Sequence, residues 1–269
     1  MPKQPIEVRR AESVADYRAC QEAQRRSWGI TEENYVVPVA TMIGAQLHGG
    51  LVLGAFLPDG TAAGMSFAFL GRTDGRLCLY SQLTGVVPGY QDQGIGGRLK
   101  TTQREIARGE GVPCIAWAFD PLQAGNAWFN LEKLKARVNR YVENMYGERS
   151  DSLNRNSTTD RLIAVWETEI DERKEINRVT ETHDLPHLID TTDRPRFVDF
   201  ERSDRILIEI PLDITTRRNE SPESAENWTL AVREAFLNAF SSGYEGVGFI
   251  RQASRGFYLL QRRPKDNLK

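Results

Sequence analysis

The 269-residue chain predicts an α/β fold of the α+β kind. A mixed, mostly antiparallel sheet is flanked by helices, and a smaller β-α-β-β unit follows toward the C-terminal end. Three observations carry this prediction. Apolar runs at 51–57, 62–70 and 77–87 are separated by Pro58-Asp59-Gly60-Thr61 and Thr73-Asp74-Gly75, which are hairpin signals. The third run ends at Pro88-Gly89, and a glycine-rich turn then leads into a helical pattern. The continuous apolar run Cys114 to Phe119 suits a central strand buried on both faces.

Taken in order, Ile6 to Arg9 is a short strand. Ser13 is a good N-cap for a helix from Val14 to Ser27, with Val14, Tyr17, Cys20, Gln21 and Gln24 marking its inward side. After Trp28-Gly29-Ile30 a second helix runs from Val39 to His48, and Gly49-Gly50 ends it. The three antiparallel strands follow. Ile95, Leu99, Thr102 and Ile106 give a helix over 95–108 by their spacing of four, seven and eleven. After the strand at 114–119 comes a further helix, then a polar loop at 151–161, a strand at 162–167 and a charged linker at 171–200. In the tail, Arg205 to Ile210 is a strand and Pro222 stands at a helix start. Trp228, Val232, Ala235, Phe236, Ala239 and Phe240 make one helical face, and 246–250 with 256–261 make a hairpin.

Composition narrows the function. The chain is 40% hydrophobic and 27% charged with a formal net charge of −2, so no strong field favours nucleic acid or an anionic membrane. No apolar leader pattern is visible at the N-terminus, and no stretch is long and apolar enough to span a bilayer. Cys20, Cys78 and Cys114 are odd in number and far apart, which suits buried thiols in a reduced, cytoplasmic compartment. His48, His183 and His187 form no ligand cluster, so no metal is expected. No Gly-x-Ser-x-Gly elbow points to a serine hydrolase.

The stretch from Thr84 to Lys100 carries the chemistry. It reads as strand, glycine-rich turn, helix N-terminus, an arrangement that offers unpartnered backbone N–H groups to an anion. The dinucleotide fingerprint needs a glycine where Leu99 stands, and the Walker loop needs Gly-Lys-Ser/Thr where Leu99-Lys100-Thr101 stands. Gln91-x-x-Gly94-x-Gly96 instead resembles the acyl-coenzyme A signature of the GNAT N-acyltransferase superfamily. A plain glycine-rich turn could carry the same six residues, but a second motif supports the resemblance. Asp120 to Leu134, with Asn126-Ala127 opening a helix, is similar to the superfamily's element beneath the pantetheine arm. The order of strands and helices also matches, and the later stretch resembles a long, poorly characterised branch.

The resemblance implies a GNAT-like fold over residues 1–170, a linker at 171–200, and a C-terminal unit at 201–269. That last unit is a degenerate half of the same fold or an unrelated cap, and it covers an edge or builds a homodimer. It implies acetyl-CoA or another acyl-CoA as cofactor. The holding residues would be Thr84, Val86, Val87, Gln91, Asp92, Gln93, Gly94, Ile95, Gly96, Gly97, Arg98, Asn126 and Phe129, with a strand bulge expected at Gly85. Arg98, Lys100 and Arg104 are candidates for the ribose phosphate. The reaction implied is transfer of an acetyl or succinyl group to the amine of a small molecule, an amino acid being favoured over a protein lysine. Leu131 stands where the superfamily often has a proton-donating tyrosine, and Tyr80-Ser81-Gln82 where it often has a glutamate. Asp120 is therefore the candidate to receive the amine, as ion-pair anchor or as base through a water, with Tyr141 or Tyr146 as proton donor. A turn cap at Asp120-Pro121 is the competing reading. The alternative function is a non-catalytic acyl-CoA-binding or regulatory module.

Overall fold

A computed structural model describes residues 5–147, 158–169, 185–191, 194–199 and 203–263. Most of the loop expected at 151–161 and most of the linker expected at 171–200, His183 included, lie outside the described residues. The described chain divides into two compact units. The first holds residues 5–117 and 167–169, and the second holds the remainder from Ala118 onward.

In the first unit, β1 (Glu7–Arg10), β2 (Leu51–Phe56), β3 (Ala62–Thr73), β4 (Arg76–Val86) and the first four residues of β5 (Cys114–Phe119) lie side by side in that order. The pairs are antiparallel until β4 and β5, which run parallel. Side chains alternate across the sheet. Met65 and Phe67 of β3 pack with Tyr17, Cys20 and Ala23 of α1 (Val14–Trp28) and with Met42 of α2 (Val39–Leu47). On the other face lies α3 (Ile95–Gly109), seated so close that a Cβ on Gly64 would come within 3.3 Å of Ile95 and 3.4 Å of Leu99. Ser13 caps α1 in a reciprocal box with Asp16, whose carboxylate also takes two 3.0 Å hydrogen bonds from Arg9. Val14 is half exposed rather than inward. The buried Gln24 and the partly buried Gln21 explain the weakly apolar face of α1: Gln21 donates to Val37 O, and Gln24 donates to Tyr35 O and accepts from Val37 N.

In the second unit, α4 (Ala124–Trp128) runs into a π-helical turn, Phe129–Lys133. The strands β6 (Arg137–Val142), β7 (Arg161–Glu167, to Trp166 in this unit), β10 (Arg205–Pro211), β11 (Tyr244–Arg251) and β12 (Arg255–Arg262) are arranged β7-β6-β11-β12-β10. A two-stranded sheet of β8 (Ile189–Asp190) and β9 (Arg196–Phe197) stands apart in pairing. Strand β6 is absent from the sequence reading, and its bulge between Val138 and Arg140 is the reason. It places the buried Val138 and Tyr141 three apart and hides the two-residue period. The tail contains the expected β-α-β-β order plus an extra short helix, α5 (Ile214–Glu220), capped by Asp213. The apolar face of α6 (Pro222–Ser241) buries Trp228, Val232, Ala235, Phe236 and Ala239, while Phe240 stays partly exposed. Phe236 meets Tyr258 edge-on at 5.0 Å and stacks with Tyr141 at 5.9 Å.

Phe236 is fully buried and central to this cluster. Phe236→Ala is expected to destabilise the protein by about 3–5 kcal/mol, read as a lower denaturant midpoint. An unshifted midpoint would contradict this packing.

Candidate functional site

Strand β4 has two different edges. Along β3 it is paired from Arg76 to Val86. Along β5, among the described residues, it is paired only at Leu79–Ile115 and Tyr80–Ala116. From Ser81 to Val86, among the described residues, no strand pairs with the outer backbone edge of β4. The bulge that accompanies this parting lies at Gln82, because Phe67 pairs with Leu83 and Ala68 with Ser81. The expected bulge at Gly85 is thus corrected. Gly85 sits in register opposite Met65, and its missing side chain admits α1, since a Cβ there would come within 2.6 Å of the Trp28 ring. Ser27 Oγ, beside Gly85, is buried without a hydrogen-bond partner.

Val86 ends β4, and the buried Val87 closes the strand by donating to Ala63 O. The turn to α3 passes through left-handed backbone at Gly89, Asp92 and Gly94. Gln91 and Gln93 lean back onto Val86 O and Gly89 O at 3.4 Å each. Gly94 is the N-cap of α3, at φ 76°, where a side chain is strained. No side chain caps α3, and its first turn carries no acidic residue. Gly96 and Gly97 have no such backbone need. A Cβ at Gly97 would meet nothing within 4 Å, and one at Gly96 only Val86 at 3.8 Å. Nothing in the described chain therefore requires glycine at 96 and 97, whereas a ligand lying against the backbone of the first turn would. Ile95 is buried and anchors the helix, and Arg98 is exposed with its guanidinium on Ile6 O at 2.7 Å.

The remaining basic residues do not form the expected group. Arg104 bonds the carbonyl oxygens of Glu167 and Glu169. Lys100 points into the protein, which the helical spacing did not foresee: Lys100 and Gln103 are buried, while Thr102 and Ile106 are only partly so. The Lys100 ammonium donates to Ser81 Oγ at 2.9 Å and lies 4.0 Å from the centre of the Trp117 ring. A polar circuit continues from Ser81 to Thr84 (3.4 Å), Ser66 (3.0 Å), Gln103 (3.1 Å) and back to Lys100 (3.4 Å). Among the described residues no carboxylate comes within ion-pair distance of Lys100. Burial alone pushes its ammonium down from 10.5 to about 7.

On the opposite face of the same strands is a cavity of about 450 Å³. It is lined by Phe67 and Phe69 of β3, the bulged Gln82 of β4, and Tyr35, Val36, Val37, Pro38, Thr41 and Ala45 from the connection between α1 and α2 and from α2 itself. The bonds from Gln21 and Gln24 hold that connection in place. Among the described residues no charged side chain lines the cavity.

The other expected site residues belong to the second unit. Asn126 is exposed on α4, and Phe129 is partly buried where the π-helical turn begins. Asp120 caps its own turn, accepting from Leu122 N at 2.9 Å, and its other oxygen lies 2.9 Å from the Arg218 guanidinium. Both oxygens are thus engaged, one in the turn and one with Arg218. Tyr141 is the expected proton donor. It is buried, its hydroxyl donates to Asp160 Oδ2 at 2.6 Å, and burial followed by the Asp160 charge holds its ionisation far above the ordinary tyrosine value. Asp160 is itself paired with Arg233 at 2.8 Å. Tyr146 lies under the Arg161 guanidinium at 5.3 Å, with its backbone N–H on Thr159 Oγ1. Leu131 is fully buried. All three cysteines are free and buried. Among the described residues no group of three or more metal-ligating side chains occurs, and no helix is long and apolar enough to cross a membrane.

Comparison with known proteins gives likeness at the level of structure. No known family description and no curated protein matches the chain. Among solved structures, it is similar to a proposed GNAT-family acetyltransferase from Desulfovibrio desulfuricans, at 19% identity, over 61% of this chain and 100% of that one, with a TM-score of 0.47. A proposed acetyltransferase from Salmonella typhimurium, solved with acetyl-CoA, matches at 19% identity over 62% of this chain and 95% of its own, with a TM-score of 0.49. An N-acetyltransferase from Thermoplasma acidophilum in complex with coenzyme A matches at 20% identity over 61% and 99%, with a TM-score of 0.43.

The buried lysine makes a stability prediction. Below about pH 7 both folded and unfolded chains hold the Lys100 proton, and the folded chain bears the full cost of burying it. Between about 7 and 10.5 the unfolded chain holds more protons, so stability rises with pH, by up to about 1.4 kcal/mol per pH unit. Lys100→Met is therefore expected to be more stable than the native chain at neutral pH, with an advantage that shrinks as pH rises from about 7 toward 10.5. The buried thiols Cys20 and Cys114, pushed up to about 12 and about 11, are common to both chains and cancel in the difference. A stability difference that does not change with pH would contradict the lysine's assigned state.

Proposed function

We propose that the first unit binds an acyl-CoA and that the protein transfers the acyl group to the amine of a small molecule. The observation that carries this reading is the pair of glycines, Gly96 and Gly97, on an uncapped helix N-terminus that directly follows a strand edge with no partner. A pyrophosphate against the N–H groups of the first turn of α3 would supply the missing cap and meet the positive end of the helix dipole. The same ligand's pantetheine arm carries amides, and the edge of β4 from Ser81 to Val86 offers backbone groups to pair with them. Thr84, Val86 and Val87 then line the arm, and Gln91 to Arg98 hold the phosphates. Asn126 and Phe129 enter on the motif resemblance alone.

The reaction is attack of a neutral amine on the thioester carbonyl. A C–N bond forms, the C–S bond breaks, the amine loses a proton and the sulfur gains one. A backbone N–H of the β4 edge aimed at the carbonyl oxygen would stabilise the negative charge that develops there. The cavity beside Gln82 is the acceptor site in this reading. Its lining of aromatic and aliphatic groups, with the Gln82 amide at one side, suits an amine on an apolar body. An amino acid stays a proposed acceptor, beside other small amines with an apolar framework. Acetyl and succinyl groups both remain candidates for the transferred group. The reading of a non-catalytic acyl-CoA-binding module draws support from the commitment of Asp120 and Tyr141 elsewhere. Release of free thiol from acetyl-CoA over a panel of amines separates the two readings.

Gly96→Asp tests the cradle cleanly, because the new Cβ has room. The variant is expected to fold normally and to lose acetyl-CoA affinity by about fivefold or more, since two like charges about 4 Å apart repel by about 1 kcal/mol even in water. Isothermal calorimetry reads the affinity and thermal denaturation the fold. Undiminished affinity would remove the cradle.

A further inference from the structure

The Lys100 amine stands at the point where β4 and β5 part. Tyr80 and Ala116 are the last paired residues of the two strands. Nζ is 2.9 Å from the oxygen of Ser81, the next residue on β4, and 4.0 Å from the ring of Trp117, the next residue on β5. It thus bridges the two lips of the opening. It arrives from the α3 face, whereas the apolar cavity opens on the α1 and α2 face, where the bulge sends Gln82. The groups around it, Ser81, Thr84, Ser66, Gln103 and Trp117, carry no ionisable side chain. A buried amine without a counter-ion is costly, and a helix face that packed only against the sheet would be served by leucine or methionine at this position.

We infer that the Lys100 amine receives the departing sulfur of coenzyme A, as the cation that stabilises the thiolate and as the source of its proton. The inference rests on the acyl-CoA reading and adds to it a catalytic group at the thioester. When the C–S bond breaks, its electron pair goes to sulfur and a proton passes from Nζ to that sulfur. The acceptor nitrogen sheds a proton as it becomes an amide, and the neutral lysine takes one up to start the next cycle. Burial assists this exchange, since an amine that titrates near 7 is poised to give and regain a proton at neutral pH. The Ser81–Thr84–Ser66–Gln103 circuit then has a role, which is to hold the amine at the opening through neutral hydrogen bonds that leave its charge uncompensated.

The test follows the thiol of bound coenzyme A by thiolate absorbance against pH, with desulfo-coenzyme A as a ligand lacking the sulfur. In the native protein the bound thiol is expected to ionise about one pH unit or more below free coenzyme A, because the forming thiolate draws the shared proton back onto Nζ and the two titrate as a coupled pair. Coenzyme A should also bind more tightly than its desulfo analogue. Lys100→Met should lose both differences while binding desulfo-coenzyme A as the native chain does, and Lys100→Arg should recover part of the shift. A native-protein thiol that ionises as it does in free coenzyme A overturns the inference while leaving the cradle intact, and that result needs no variant to fold. Failure of the native chain to bind either ligand overturns the acyl-CoA reading and this inference together.

Discussion

Strand β4 cannot be paired on both edges along its whole length, and the first unit is organised around that fact. Parallel pairing with β5 stops after Tyr80 while antiparallel pairing with β3 continues to Val86. Buried backbone groups need partners, so six residues with one bare edge demand water or a ligand there. The bulge at Gln82 belongs to the same constraint. An extra residue bends and twists the strand, and here it also sends one polar side chain to each face, Ser81 toward α3 and Gln82 toward α1 and α2.

Two glycines make the arrangement possible from opposite sides. Gly64 lets α3 lie close to the sheet through Ile95 and Leu99, and Gly85 does the same for the end of α1 at Ser27 and Trp28. The third device is the buried polar circuit under Ser81. Its cost is the desolvation of Lys100, which the Trp117 ring offsets in part. Deeply buried polar groups that no fold requirement explains are a usual mark of a functional site, and this one sits at the mouth of the only strand opening among the described residues of the first unit.

Much of this was legible in the sequence, because its signals were local. The Pro-Asp-Gly-Thr hairpin, the Ser13 cap, the strand ends at Pro88 and the glycines of 94–97 each act within a few residues, and the elements they delimit were found within three positions. The misses were long-range. Asn139 breaks the alternation of β6 because of a bulge set by its neighbour strand. The inward turn of Lys100 and Gln103 could not be read from α3 alone, since the polar side chains that receive them, Ser66, Ser81 and Thr84, come from β3 and β4. A signal existed: Ser66, Ser81 and Thr84 interrupt otherwise apolar strands, and polar residues on buried strands call for polar partners on the covering helix. The Tyr141 hydroxyl donates to Asp160, a pairing visible only in three dimensions.

The central claim is that one ligand covers both the bare edge of β4 and the first turn of α3. Amide hydrogen exchange with and without acetyl-CoA measures this directly, since exchange reports local opening and shielding residue by residue. The account predicts slowed exchange at two separate segments together, Ser81 to Val86 and Ile95 to Arg98, with the β3-facing amides of β4 little altered. Slowing at the helix turn without any change along β4, or no change at either, would contradict it.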